Sequence, residues 1–364
     1  MTRTDLQSAG RGVPGTSGST GAPALPARIG AQRVARRRRL ALVAAGCVAI
    51  ILVVGTIALL LGAAGLSPDR VLLALVGLGD EGDRFVIHRL RVPRILAAIV
   101  CGLAFALAGA VFQSVLRNPL ASPDILGISG GASLGAVWAL LGLGLTGAAV
   151  SGFAFAGAIA AAVCIWALAW RQGLHGIRFV LIGVGISYVA ASLISWLLAR
   201  SDVRAAQSAL VWTVGSVADI RGDALAWLAV GVAAATVLVA LNARSVGVLA
   251  LGDDHARGLG VRADRTRVIL LLAAVALIAL ATAAAGPIAF VALVAPAIAR
   301  GLVGDGGAAL TASALVGAAL TLTADVIGQY ALPGVTAPVG IVTGVIGAPY
   351  LLWLLATTER RRRA

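Results

Sequence analysis

Long apolar runs separated by short polar stretches dominate this sequence of 364 residues. A helix that crosses the hydrocarbon core of a bilayer needs about 20 apolar residues, because no water is available there to satisfy an open backbone. Ten runs meet or approach this length, which predicts an all-α polytopic membrane protein with about ten transmembrane helices. The third and eighth runs are short and rich in glycine or proline. The ten runs are 40–61, 95–116, 125–141, 149–170, 179–198, 224–241, 268–284, 288–302, 310–330 and 339–356.

The stretch 91–137 departs from this simple pattern. Its apolar run ends at the polar sequence 117–119, passes prolines at positions 119 and 123, and re-enters apolar sequence through a glycine cluster at 127–135. Non-helical backbone is tolerated at membrane depth only where it is buried in protein or lines a path. We therefore predict a broken or re-entrant helix after the second span, beside a translocation path.

Composition and charge agree with a membrane protein and orient it. Hydrophobic residues make up 60% of the chain and charged residues 12%, whereas soluble domains are nearer one half apolar. Twelve of the 29 basic residues lie before Leu40 or after Glu359. The positive-inside rule therefore predicts that both termini are cytoplasmic, and an even number of spans agrees. We expect a disordered Arg-rich tail over 1–39, a permease domain over 40–356 and a short basic tail over 357–364.

Every basic residue other than the three histidines is arginine, and the chain contains no lysine. A P-loop ATPase site needs a lysine that reaches the nucleotide phosphates, and a Schiff-base enzyme needs a lysine amine. We therefore expect a transport subunit that is not an enzyme, so any ATP is hydrolysed by another subunit. Cys47, Cys101 and Cys164 all lie in apolar runs, so they predict buried packing with no metal and no bound cofactor.

The longest internal loop, residues 242–267, is the predicted docking surface for a cytoplasmic partner. Asp253 and Asp254 suit a helix N-terminus, and Gly260 suits the end of that helix with positive φ. This pattern predicts a short helix, a glycine and a second helix. A solvated charged loop without a partner is the alternative. A metal site formed by Asp253, Asp254 and His255 is less favoured, because adjacent ligands rarely converge on one ion.

Two polar residues stand out within predicted spans. Asp325 is the ionisable residue that falls well inside a span, and we expect it to accept hydrogen bonds from a neighbouring helix end or from Gln329, one turn further on. Gln113 is the second, in the run 95–116. In the external loop 199–223, residues 211–216 are predicted to form a short helix that caps a cavity.

Glycines within the spans predict close contacts between helices. Gly102 and Gly109 lie in the second predicted span, and Gly183 and Gly185 lie in the fifth. Small residues let membrane helices approach closely, so packing is the expected role of all four.

Several sequence motifs strongly resemble the FecCD/BtuC family of ABC importer permeases, and they occur in the family's order over about residues 40–356. The resemblance implies a BtuC-like fold in which two permease subunits, identical or paralogous, enclose the path. It also implies two cytoplasmic ATPases that use ATP, and an external binding protein that delivers an iron-siderophore, haem or cobalamin. The motifs are Arg91-Val-Pro-Arg94, Gly109-Ala-Val-Phe-Gln113, Asn118-Pro-Leu-Ala-Ser-Pro123, Gly252 to Val261, Gly286-Pro-Ile-Ala-Phe290, Ala324-Asp325 and Pro338-Val-Gly-Ile-Val-Thr343.

The resemblance also implies roles for individual residues. Arg91 and Arg94 match external arginines that pair with acidic residues of the binding protein, while the third such position holds Gln329. Asn118 and Leu120 match the inner gate. The fifth span and residues 211–216 are implied to line the path. The segment that couples to the ATPase is matched by Gly252, Asp253, Asp254, Ala256, Leu259, Gly260 and Arg262.

The expected function is therefore the permease of an importer in the cell membrane, with a ferric siderophore as substrate. Haem and cobalamin are the alternative substrates within the family. Ala297, where the family often has histidine after proline, and Thr336, where it often has an acidic residue, depart from the pattern and argue against cobalamin. An ion-coupled secondary transporter is the alternative from another class, and it would need buried titratable residues and no docking loop.

Overall fold

A computed structural model describes residues 25–62, 65–123, 126–169, 176–250, 252–304, 309–331 and 334–363. Within these ranges the chain is helical and contains no strand. Two π-helical turns, Val86–Arg91 and Trp138–Gly142, continue directly from or into α-helices. The α-helices are α1 (Leu25–Leu60), α2 (Pro68–Leu75), α3 (Glu81–Phe85), α4 (Val92–Val115), α5 (Ile128–Val137), α6 (Ala148–Ala169), α7 (Gly176–Ala199), α8 (Val203–Val214), α9 (Gly222–Leu241), α10 (Ala243–Ala250), α11 (Asp253–Gly258), α12 (Ala263–Ala285), α13 (Val291–Val303), α14 (Leu310–Tyr330) and α15 (Val339–Arg363).

The helices confirm the predicted polytopic architecture. Seven of them are long and apolar enough to cross a membrane, and three shorter apolar helices complete the ten predicted segments in the described residues. The short ones include the predicted third and eighth segments, Ile128–Gly142 and Val291–Val303. The tenth, Val339–Leu354, also falls into this shorter class.

The expected disordered tail is wrong for the residues that precede the first span. α1 begins at Leu25, so residues 25–39 continue the helix of the span. This extension is rich in alanine and arginine, which are good helix formers, and adding residues to an existing helix avoids the cost of nucleation. Residues 1–24 lie outside the described part of the chain. At the other end α15 runs to Arg363, so the predicted basic tail is helical as well.

α4 is the centre of the bundle and packs against α9, α12, α13 and α14. Phe105 and Phe112 on α4 are fully buried. Glycine permits the closest approaches: a Cβ on Gly102 would overlap the carbonyl oxygen of Gly317 on α14, and one on Gly109 would overlap that of Ala292 on α13. Backbone atoms therefore form much of the contact between α4 and its neighbours, as expected where small residues line a membrane helix.

The prediction for the glycines of the fifth span is half right. Gly183 on α7 packs against the backbone of Leu126, where an added Cβ would lie 2.8 Å from the carbonyl oxygen. Gly185 is different, because no atom of the described part of the chain lies within 4 Å of the position its Cβ would take. Residues two apart point to different faces of a helix, so Gly185 does not make the packing contact within the described bundle that was predicted for it.

The helix predicted at 211–216 is longer than expected and begins at Val203. Asp202 explains the early start, because its Oδ1 accepts hydrogen bonds from the backbone N–H groups of Arg204 and Ala205, each at 3.0 Å. The helix ends before Gly215, whose φ of 85° is in the left-handed region. Gly215 brings this end of α8 against the backbone of Pro287, in the link between α12 and α13.

Candidate functional site

A cavity of about 570 Å³ lies between α5, the end of α8, the link that precedes α13, and α15. Its wall includes Gly340 and Leu351, which are separated by roughly 16 Å along a helix, so it extends over half of a bilayer core. The cavity is lined by Ser122, Ser129, Gly130, Ser133, Thr213, Val214, Pro287, Ala289, Phe290, Leu293, Gly340 and Leu351.

The broken segment predicted after the second span forms one wall of this cavity. α5 begins after Gly127, whose φ is 80°, and Ser129, Gly130 and Ser133 lie on one face of its first turns. A Cβ on Gly127 would lie 2.7 Å from the carbonyl oxygen of Gly183, so α7 holds the start of α5 in place. Asp124 and Ile125, which join this helix to the preceding turn, lie outside the described residues.

Hydroxyl groups and small apolar surfaces define the chemistry of the cavity. Ser122, Ser129 and Ser133 are buried, Thr213 lines the same cavity, and none of the lining residues that the structure describes is ionisable. A bare metal cation binds best to carboxylates, imidazoles or thiolates, and the described wall offers none of these. The described wall therefore offers hydroxyl groups and small apolar surface to a solute.

The path-lining residues implied by the resemblance are placed in part. Thr213 and Val214, from the predicted segment 211–216, line the cavity. None of the described residues that line it belongs to α7, the fifth span. α7 instead supports the cavity from behind, through the contact of Gly183 with the start of α5.

The predicted inner gate forms a tight turn just after α4. The backbone N–H of Asn118 donates to the carbonyl oxygen of Gln113 at 3.1 Å, and the side chain Oδ1 of Asn118 accepts from the N–H of Leu120 at 3.0 Å. Leu120 is 39% exposed. Ser122, two residues further on, lines the cavity. The turn is thus close in sequence to the cavity wall, and its role as a gate stays a prediction.

Arg91 is not on the surface, where a residue that docks a binding protein is expected to lie. Its side chain is buried, and its Nη1 donates to the carbonyl oxygen of Leu59 in the last turn of α1. The hydroxyl of Tyr330 donates to the carbonyl oxygen of Leu61 at 3.1 Å. Carbonyl groups at a helix C-terminus lack partners within the helix, so Arg91 and Tyr330 cap the end of α1.

Arg94 forms a bidentate ion pair with Asp325 across α4 and α14. Its Nε and Nη2 lie 2.9 and 2.8 Å from Oδ2 and Oδ1 of the carboxylate. Nε2 of Gln329 donates to Oδ2 at 2.7 Å, so the predicted contact between Gln329 and Asp325 is present. The resemblance implies that Arg94 pairs with an acidic residue of a binding protein. In this structure Arg94 instead pairs with a carboxylate of its own chain. The sequence signal for this pair was Asp325 itself, because a buried carboxylate needs a cation.

These groups surround a pocket of about 130 Å³ near the end of α1. Arg91, Arg94, Asp325 and Gln329 all line it, so the three predicted docking positions do lie together. Arg221, which the sequence did not single out, lines the same pocket and is exposed. With three arginines and one carboxylate among its lining residues, the pocket carries a positive charge.

Gln113 joins α4 to α13 by two hydrogen bonds within the bundle. Its Nε2 donates to the carbonyl oxygen of Leu293 at 3.2 Å, and its Oε1 accepts from Nη2 of Arg300 at 2.6 Å. Gln113 is buried, so both of its polar atoms are satisfied where water has little access. Gln113 was predicted from the sequence, whereas Arg300, which lies near the end of an apolar run, was not.

The loop predicted to dock the ATPase has the expected helix and glycine. Gly252 precedes α11, Leu259 ends it, Gly260 follows with φ 77°, and Arg262 precedes α12. Ala256 is fully buried, whereas Leu259 is 66% exposed. The side chains of Asp253 and Asp254 lie outside the described part of the chain. The exposed leucine fits a surface for a partner, and coupling to an ATPase stays a prediction.

Comparison with known proteins finds a consistent set of matches. Residues 50–357 match the model of the FecCD transport family. The ferric enterobactin transport system permease of Escherichia coli is 37% identical over 89% of this chain and 98% of that protein. The achromobactin transport system permease of Dickeya dadantii is 39% identical over 89% and 94%. Among solved structures, a metal-chelate type ABC transporter in an inward-facing conformation matches with a TM-score of 0.77 and 26% identity, covering 86% of this chain and 98% of that one.

Proposed function

Since the chain belongs to the FecCD transport family and is therefore a multi-pass membrane permease of the ABC importer type, we propose that it carries ferric siderophores. The printed names of its relatives support an iron chelate: besides enterobactin and achromobactin, they include Fe(3+)-citrate and iron(3+)-hydroxamate. A vitamin B12 permease is also similar, at 36% identity over 77% of this chain. Cobalamin is therefore the competing substrate in the test below.

The observation that carries the substrate proposal is the cavity beside α5. Its described wall has serine and threonine hydroxyls, and it has no group that would hold a bare ferric ion. A chelate encloses the metal in its own oxygen ligands, so the ferric ion needs no ligand from the protein. Such a solute can pass along a wall of hydroxyl and small apolar groups, so transport of the intact chelate fits best.

We propose the following assembly and orientation. A second permease subunit, identical or paralogous, closes the path opposite the cavity, and a pair of cytoplasmic ATPases docks on α10 and α11. Both termini lie in the cytoplasm, as the arginines in the first part of α1 and at the end of α15 favour. An external binding protein contacts the positively charged pocket that contains Arg94 and Arg221. Acidic side chains on that partner fit this charge.

Uptake by the complete transporter in proteoliposomes tests the proposed function. We expect ATP-dependent entry of at least one radiolabelled chelate among ferric enterobactin, ferric citrate and a ferric hydroxamate, and no entry of cyanocobalamin. Entry of cyanocobalamin alone would contradict the substrate proposal. Uptake that continues without ATP and is abolished by a protonophore would contradict the importer mechanism itself.

A charge placed at Leu259 is expected to prevent docking of the ATPase. Leu259→Glu puts a carboxylate on an exposed apolar position beside α11, and burying it against a partner costs about 2–4 kcal/mol, enough to weaken assembly by at least about thirtyfold. The measurement is the fraction of ATPase that co-purifies with the tagged permease.

Val34→Glu is the matched control for this substitution. Val34 is 68% exposed on the extension of α1, so the same change of chemistry occurs on another surface with the same proposed orientation. We expect normal co-purification for this variant. Equal co-purification of Leu259→Glu and the unmodified chain would remove α11 from the docking surface.

A further inference from the structure

Arg117 occupies a strained position at the inner end of α4. Its φ is 51°, which is one of three positive values among the non-glycine residues that the structure describes. An arginine is disfavoured in the left-handed region because its Cβ approaches the carbonyl oxygen. The surrounding contacts must therefore hold the residue in this conformation.

The side chain of Arg117 reaches the segment that precedes α11. Its Nε donates to the carbonyl oxygen of Leu249 at 3.1 Å, and Leu249 is buried in the last turn of α10. The same oxygen accepts the N–H of Gly252 at 3.3 Å. One carbonyl group thus joins the end of α4 to the first residue of the predicted coupling segment.

The other side of Arg117 is continuous with the predicted inner gate. Asn118 follows it directly, and the hydrogen bonds of Asn118 to Gln113 and Leu120 fix the turn to α4. Ala256 of α11 is fully buried, so α11 is also held against the body of the protein. A displacement of α10 and α11 is therefore transmitted to the turn 117–120 through a short chain of directional contacts.

We propose that Arg117 is a positioning residue that links movement of the α10–α11 segment to opening and closing of the turn 117–120. This role rests on the proposed function, because it assumes that an ATPase moves α11 and that the turn gates the path. The guanidinium acts by holding a backbone carbonyl at a fixed distance, and it does not contact the transported solute. The strained backbone is then the consequence of directing this side chain toward α10.

The test compares variants of Arg117 in the complete transporter, in proteoliposomes that contain its ATPase and binding protein. Arg117→Gln removes the reach to Leu249, and we expect the amount of ferric enterobactin, citrate or hydroxamate imported per ATP hydrolysed to fall about tenfold. ATP hydrolysis itself should stay within about twofold of the unmodified transporter. Arg117→Lys, which keeps a donor on a long side chain, should recover part of the lost stoichiometry.

Two further variants separate this role from a general effect on folding. Arg117→Gly removes the side chain while suiting the left-handed backbone, so it should fold at least as well and show the same loss of stoichiometry. Arg178→Gln is the control, because Arg178 also donates to a backbone carbonyl, that of Leu168 at 3.1 Å, and lies on α7. We expect normal stoichiometry for this control.

A second readout does not depend on the substrate. Cys164 is exposed, so the prediction that all three cysteines are buried is wrong for this one. In a background in which Cys164 is replaced by alanine, Leu120→Cys reports access to the turn through its rate of reaction with a soluble maleimide. We expect nucleotide binding to change this rate when Arg117 is present, and the change to be lost in Arg117→Gln. Failure of the unmodified transporter to import any of the three chelates would contradict the proposed substrate and leave this readout valid.

Two outcomes would overturn the role of Arg117. The first is normal stoichiometry and a normal nucleotide response in Arg117→Gln. The second is a parallel fall of ATP hydrolysis and uptake in Arg117→Gly with the complex intact, which would place the residue in the stimulation of ATP hydrolysis instead.

Discussion

Replacing Asp325 by alanine is expected to lower the free energy of unfolding by about 3–5 kcal/mol, because it leaves the guanidinium of Arg94 without its charge partner inside the bundle. The carboxylate side chain is 3% exposed and that of Arg94 is 24% exposed. Two short hydrogen bonds between them and a third from Gln329 would be lost together. Reversible unfolding in mixed micelles, followed by circular dichroism, measures the effect.

The double variant Asp325→Ala/Arg94→Ala separates the loss of an interaction from the cost of an isolated charge. Because removing both charges leaves nothing unpaired, we expect it to recover at least half of the stability lost by the single change. Arg89→Ala, at an exposed arginine five residues earlier in the chain, should change stability by less than about 0.5 kcal/mol. A single Asp325→Ala variant as stable as the parent would show that the ion pair contributes nothing to the fold.

Gly109→Ala should destabilise the bundle by about 1–3 kcal/mol, although alanine is the better helix former. The added methyl group would overlap the carbonyl oxygen of Ala292, so α4 and α13 would have to separate. In a regular helix the N–H of residue 296 would donate to the carbonyl oxygen of Ala292, but Pro296 has no N–H. Gly109 therefore packs beside a carbonyl oxygen that lacks its usual partner within α13. The amount of monodisperse folded protein after heating, measured by fluorescence-detected size exclusion, reports the effect.

Gly185→Ala is the same chemical change, but we do not expect it to destabilise the bundle. Among the residues that the structure describes, nothing lies within 4 Å of the position of its Cβ, so the higher helix propensity of alanine should leave stability unchanged or raise it by up to about 1 kcal/mol. Equal losses at Gly109 and Gly185 would show that glycine acts in these helices through flexibility, and close packing would then not be its role.

The spans were predictable because the length and polarity of an apolar run are local properties of the sequence. The predicted bounds of α14 and the observed ones agree at both ends, Leu310 and Tyr330. The start of α1 was predicted wrongly because the composition of the whole tail was taken as one signal. The alanine-rich and arginine-rich part next to the span behaves differently from the glycine-rich and serine-rich part before it.

The sequence predicted that buried polar groups have partners, but it identified the partner only where the two residues lie close together in the sequence. Gln329 lies one turn from Asp325, so their hydrogen bond follows from helix geometry. Arg94 is separated from Asp325 by 231 residues, and the sequence does not say which helix faces α14. The same limit concealed the bond between Gln113 and Arg300. The sequence indicates that a buried polar group needs a hydrogen-bond or charge partner. Which residue becomes that partner depends on the tertiary structure.

The cap on α1 and the ion pair on α14 have a consequence for how the chain is assembled during synthesis. Arg91 and Arg94 are made early, whereas Asp325 and Tyr330 emerge near the end of translation. Until then, the carbonyl group of Leu61 after α1 and the guanidinium of Arg94 on α4 lack these partners. A ribosome that stops before α14 therefore releases a chain in which Arg94 cannot pair with Asp325.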